Sequence, residues 1–373
     1  MRVAQKDGAA TVLRDPVFVR LALIQALNMI GDGLIAAGVP MLLVSRQSGG
    51  SDIAAFVAAS GVGGLVVLAA ATLLLDAVSR RSILIVSDIS RVSVVGLVAI
   101  YLSTDGLVAL IAAGVIAGAG IGVFRPAYST YIGEVVDPHL RRPANALRSL
   151  SSKVAAIIAP GLISVVALTG AIENVLPIAA VIAVTSIFVL LTCPPSMSRG
   201  EAVRDPSGIF DGLRTVTRTP WILAVMCQGA VQVGLVMAPF AVLVPIWLEA
   251  RSAEAQYGFL LAAEAAGAIG GAILALRVKT TRVGAVAILA LLLQGLVLAS
   301  LIVNGPMWVA YVGFCAAGVG LAVFGVLWIT ALQERIPRQT LGRVMSVDAL
   351  ASAALAPLGA VLGGVAASNN RCR

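Results

Sequence analysis

Eleven stretches of this chain are long and apolar enough to cross a lipid bilayer as helices, and no other feature narrows its possible folds as sharply. A helix needs about 20 predominantly apolar residues to span the hydrocarbon core. Such runs lie near 17–44, 53–75, 82–103, 106–132, 145–169, 174–193, 221–248, 256–277, 283–303, 306–333 and 343–367. Only 12% of the residues are charged and 59% are hydrophobic, with a mean hydropathy of +1.00. A soluble globule is excluded, since such proteins carry about 25% charged residues. The fold class expected is all-α, a polytopic membrane protein with the lipid bilayer as its surroundings. Asp15-Pro16 and Thr219-Pro220 are good helix starts, each an oxygen-bearing cap before a proline placed where no amide donor is needed. The polar leader through Arg14 runs into an apolar segment with no small-residue cleavage site, which predicts a retained first span rather than a signal peptide.

Charge sets the orientation. Arg80-Arg81, Arg141-Arg142, the arginines between Arg199 and Arg218, Arg277 with Lys279 and Arg282, and those from Arg335 to Arg343 all fall in loops on one side. Arg46 and Arg251 are the only basic residues in loops on the other side, with Arg371 and Arg373 after the last run. Positive residues stay in the cytoplasm, so the N-terminus is expected there. The net charge of +8 therefore implies no nucleic-acid partner.

The chain also repeats itself. Ala117-Gly118-x-Gly120, Val123-Phe124, Thr130 and Glu134 return as Ala317-Gly318-x-Gly320, Val323-Phe324, Thr330 and Glu334. Ala159-Pro160 returns as Ala356-Pro357, Val39-Pro40 as Val244-Pro245, and Asp15-Pro16 as Thr219-Pro220. Duplication inside an apolar chain predicts two related bundles with the working site where they meet. The expected division is 1–193 for an N-terminal bundle, 194–220 for a cytoplasmic linker with Pro194-Pro195 and Pro206, and 221–373 for a C-terminal bundle. Runs one to five pair with seven to eleven. The partner of the sixth is missing, so a twelfth helix is expected to have been lost or dispensed with.

Several chemistries have no footing. The cysteines at 193, 227, 315 and 372 show no metal or redox spacing, and the single histidine, His139, sits in a basic loop. Gly61-x-Gly63-Gly64 and Gly267-x-x-Gly270-Gly271 are helix-packing sets, because no phosphate-binding lysine follows either. No cofactor, metal or enzymatic activity is expected, and energy would come from an ion or substrate gradient.

With these residues in view, the chain resembles the major facilitator superfamily, most closely its bacterial drug, macrolide and siderophore exporters. Gly31-Asp32, Pro126-Ala127, Ala144-Asn145-Ala146, Val244-Pro245, Gln333-x-x-Ile336-Pro337 and Gly342-Arg343-Val344 carry the resemblance across essentially the whole length. The superfamily's loop between helices two and three keeps Asp76, Arg80 and Arg81 here, while Thr72, Ala77 and Ser79 replace its usual Gly, Arg and Gly. That loop is expected to brace the inner ends, with Arg80 near Asp348 or Glu134. The fifth-helix antiporter signature is reduced to Ala159-Pro160-Gly161, and helix four has no arginine at its middle, only Arg125 near the inner end. The resemblance implies a monomeric transporter working by alternating access and exporting amphipathic small molecules in exchange for protons. The other reading is a truncated, non-transporting or regulatory homologue.

Charge inside the bilayer is expensive enough that each instance needs a partner or a purpose. Asp32 follows Gln25 and Asn28 at helical spacing, so the three are expected on or near one face of the first helix. Gln228 and Gln232, one turn apart on the seventh, would face them across a path lined by helices one, four, seven and ten. Met237, Trp328, Tyr128 and Phe314 are candidates for its apolar wall. Glu264 and Lys153 fall at similar depth on helices that superfamily packing makes neighbours, which predicts an ion pair between the halves. Asp32, Glu264 and Lys153 form the candidate proton-coupling set. A structural clasp for the Glu264–Lys153 pair, and a hydrogen-bonded helix contact for Asp32, remain open alongside it. Asp88 and Arg91, three residues apart, are expected to pair locally.

Overall fold

The computed structural model describes residues 15–135, 141–195, 208–275, 277, 282–303 and 305–371, with backbone alone for 69–77, 130, 133–134, 141–153, 208–211, 338–339, 342, 346, 352 and 368–371. Helices α1 (Pro16–Ser45), α2 (Gly50–Ala77), α3 (Arg80–Thr104), α4 (Leu107–Val135), α5 (Arg141–Leu168) and α6 (Val175–Leu191) come first. Then follow α7 (Gly208–Arg218), α8 (Pro220–Gln232), α9 (Ala238–Glu249), α10 (Gln256–Ala275), α11 (Val283–Leu291), α12 (Gly295–Ile302), α13 (Met307–Arg335), α14 (Arg338–Ala354) and α15 (Ala356–Arg371). The chain is an all-helical, multi-pass membrane protein.

Among the described residues, ten helices are long and apolar enough to span a bilayer. Of the run expected at 145–169, Val154–Leu168 of α5 is an apolar helical stretch, and the side chains of 145–153 lie outside the described residues. The start of α1 follows the sequence expectation, since the Asp15 side chain accepts the Val17 amide at 2.9 Å. Thr219 instead donates its hydroxyl to the Thr215 carbonyl at 2.8 Å, leaving Pro220 alone to set the start of α8.

The repeated Gly-x-Gly does the same job twice. At Gly118 an added Cβ would sit 1.8 Å from the Ser60 carbonyl oxygen of α2, and at Gly318 one would sit 1.9 Å from the Glu264 carbonyl oxygen of α10. Two residues on, Gly120 lies against Ser90 of α3 and Gly320 against Ala290 of α11. Each copy thus lets one long helix cross two neighbours at backbone contact, the role small residues play where helices pack in lipid.

One slip in the repeat is visible. Pro16 and Pro220 differ by 204 positions, Pro40 and Pro245 by 205. The added residue is accommodated by Val233–Met237, a π-helical turn joining α8 to α9. Such turns arise where one residue enters an α-helix, and they favour functional sites.

Contacts between early and late helices run along two seams. In one, Gly61 of α2 touches Pro357 of α15, and Gly50 and Ala54 touch Ala367 and Gly364. In the other, Gly258 of α10 lies on the Pro160 carbonyl of α5, and Ser164 accepts the Phe259 amide at 2.8 Å. The stretch expected as a linker contains α7, whose Gly212 rests on the Arg343 backbone of α14.

Candidate functional site

The hydrophobic cores reveal where the molecule is closed and where it is open. Toward the C-terminal end of α1, Leu42, Val44, Ile53 and Val98 share one core with Val242, Leu248, Leu260 and Phe314. Toward its N-terminal end the described residues form separate cores. Phe18, Leu21, Leu84, Phe124 and Tyr131 form one, while Val216, Ile222, Leu332, Ile336 and Val344 form another. Among the described residues, the early and late helices therefore share a core at one end and form separate cores at the other.

Among the early helices, a cavity of about 780 Å³ is lined by Gln25, Met29 and Asp32 of α1, Arg125 and Tyr128 of α4 and Pro160 of α5, among others. Asp32 links this cavity to the interior. Arg91 of α3 reaches it with Nε at 2.8 Å and Nη2 at 2.7 Å. The same guanidinium holds Asp88 through Nη1 at 2.7 Å and stacks over the Phe124 ring at 5.7 Å. Asp88 and Arg91 are essentially inaccessible, whereas the Asp32 side chain keeps 20% exposure. One buried cation thus bridges two carboxylates, of which only Asp32 meets the cavity. The local Asp88–Arg91 pair follows the sequence expectation; the arm to Asp32 spans 59 residues, and no local spacing points to it.

Of the three polar residues expected on one face of α1, Gln25 and Asp32 line the cavity. They are seven residues apart, nearly in register after two turns. Asn28 is rotated away and buried, donating to the Ile24 carbonyl at 3.1 Å and to Ser186 of α6 at 3.0 Å. Tyr128 lines the cavity and ties its hydroxyl to the Leu21 carbonyl at 2.7 Å. Arg125 is exposed on the cavity wall.

The later helices hold a second, smaller cavity of about 210 Å³, bounded by Met237, Phe240, Tyr257, Glu264, Gln294 and Phe314, among others. The π-helical turn supplies Val236 and Met237 to its wall. Behind it runs a neutral relay: Gln228 donates to Gln232 at 2.6 Å, and Gln232 donates to Gln294 at 2.5 Å. Where the first half carries an ion-paired network, the second carries amides beside the Glu264 carboxylate. Glu264 has no hydrogen-bond or ionic partner among the described residues. The side chain of Lys153 lies outside them, so the expected pair with Glu264 does too; the α5–α10 seam brings their helices together at Pro160 and Gly258.

Trp328 does not border either cavity. It is 8% exposed in the core with Val216 and Leu332, edge-on to Trp221 and stacked on Phe324. Its indole N–H donates to Asp348 at 3.3 Å. The moment of α13 is weak because apolar residues surround it, so sequence could not tell its inward faces apart. At the start of α3, Arg81 donates to the Leu191 carbonyl at 2.7 Å and Arg80 to that of Val78 at 3.3 Å. The side chains of Asp76 and Glu134 lie outside the described residues. No group of three or more potential metal ligands occurs among the described residues.

A multi-pass helical bundle with one cavity among its early helices and another among its late ones has the form of a membrane transporter. The sequence model of the Major Facilitator Superfamily matches residues 21–360, and the chain belongs to that family. No curated protein sequence matches it. Among solved structures, a mutant of the nucleoside transporter NupG superposes with a TM-score of 0.72 at 14% identity, covering 94% of this chain and 90% of the other. A bacterial homologue of the iron transporter ferroportin, in an inward-facing state, gives 0.70 at 16% identity over 93% and 91%. The inward-open xylose transporter XylE from E. coli gives 0.66 at 13% over 94% of each. These likenesses establish the fold, and the family makes the chain a secondary transporter rather than an enzyme.

Proposed function

We propose that the protein exports amphipathic small molecules in exchange for protons, by rocking of residues 1–193 against 221–373 about the linker 194–220. It acts as a monomer in a bacterial inner membrane, with its N-terminus in the cytoplasm. Fusion of the cores at one end and their separation at the other carries this reading. The same two seams could serve as the pivot when the open end closes. Asp32 and Glu264 are the proton-coupling carboxylates, with Lys153 as the cation that answers Glu264 across the α5–α10 seam. Support comes from the placement of Asp32 on the larger cavity and Glu264 on the smaller. Arg91 can hold Asp88 when Asp32 takes a proton, so the interior network survives the neutralisation of its cavity-facing member.

The substrate path runs past Gln25 and Met237, with Asn28, Gln228 and Gln232 holding its polar backing. Asp76, Arg80, Arg81, Glu134 and Asp348 form the cytoplasmic gate. Purified protein in liposomes, loaded with ethidium or Nile red and given a proton gradient, tests the reading. Gradient-driven dye movement accompanied by opposite proton movement is expected, and D32N or E264Q should uncouple it. Equal gradient dependence in both variants and the parent would refute the coupling assignment.

A further inference from the structure

The smaller cavity pairs one kind of charge with one kind of wall. Its acidic member is Glu264, and none of the described residues lining it is a lysine or arginine. Three aromatic rings, Tyr257, Phe240 and Phe314, stand around the same space, with the Gln294 amide at its edge. The Lys153 side chain lies outside the described residues; among those described Glu264 meets no cation, and a carboxylate left so in a membrane interior is costly. Aromatic faces attract cations through the ring quadrupole, more strongly when water is excluded. A metal ion would be poorly served here, since hard cations need six or more oxygen ligands and soft ones need nitrogen or sulfur. Size narrows the choice further. At about 30 Å³ per water in the liquid, 210 Å³ accommodates an ammonium head with a short apolar body and excludes a macrocycle.

We infer that this cavity is a binding site for the head of a small organic monocation, an amine or quaternary ammonium, held by Glu264 within the rings of Tyr257, Phe240 and Phe314. The carboxylate supplies the charge partner, and the rings replace the hydration shell that the head gives up. A quaternary ammonium donates no hydrogen bond, so affinity for one reports charge and aromatic contact alone. The inference takes from the transporter reading only that the cavity belongs to the substrate path. It makes no use of proton coupling.

Equilibrium dialysis of radiolabelled benzyltrimethylammonium against purified protein, without any gradient, tests it. Saturable binding is expected, weakened about tenfold or more by E264Q and retained by E264D, which keeps the charge. The uncharged isostere 3,3-dimethylbutan-1-ol should fail to displace the label from unmutated protein, whereas choline should displace it. This competition needs no variant to fold. Absence of saturable binding, or equal displacement by choline and its neutral isostere, would overturn the inference. Proton-coupled dye transport could survive either result, so failure here is distinguishable from failure of the coupling reading.

Discussion

Replacing Gly118 and Gly318 by alanine tests whether the repeat is a physical duplication. A Cβ at Gly118 would stand 1.8 Å from the Ser60 carbonyl oxygen, and one at Gly318 would stand 1.9 Å from that of Glu264. Neither obstacle is a flexible side-chain end, so the helices must part by more than an ångström. Overpacking of this kind costs about 1–3 kcal/mol, against which alanine regains about 1 kcal/mol of helix propensity. Gly161 and Gly229 provide controls, because nothing lies within 4 Å of a Cβ at either. Alanine there should stabilise slightly. Thermal melts in detergent should place G118A and G318A below the parent by similar amounts, with G161A and G229A at or above it. If the first pair melts with the controls, the close crossings do not exist. If only one of the two is destabilised, the two halves do not pack alike.

Two further outcomes follow from the interior. R91M should destabilise by about 3–5 kcal/mol, since removing one partner of a buried ionic group strands the other charge; D88N combined with R91M should recover part of the loss in the same denaturation assay. Deleting Val236 should turn the Val233–Met237 turn into plain α-helix, preserve both flanking registers and leave the protein folded by circular dichroism. Binding of benzyltrimethylammonium should then be lost, because Val236 and Met237 form part of the small cavity's wall.

Much of the architecture could be read from residues alone, because bilayer thickness converts apolar length directly into spans and loop arginines into orientation. The repeat even carried a trace of the π-helical turn in its slip from 204 to 205 positions, although only the backbone shows where the extra residue went. Asp88–Arg91 was legible because helical neighbours three apart must meet. The Asp32 arm of that network was not, since it depends on how α1 and α3 are turned toward each other. Asn28 and Trp328 mark the same boundary. Both lie on helices apolar on nearly every side, where no periodicity separates a cavity face from a packing face.

The rocking of two bundles about shared seams is most directly tested by paired spin labels on a cysteine-free background. One pair at Val78 and Leu213 reports the parted end, and another at Gln47 and Ser252 reports the fused end; all four positions are exposed. Double electron–electron resonance between pH 5 and pH 8 should show two distance populations at each end. As the Val78–Leu213 distance shortens, the Gln47–Ser252 distance should lengthen, and D32N with E264Q should abolish the pH dependence. A single unchanging distance at both ends, across pH and with substrate, would contradict the account.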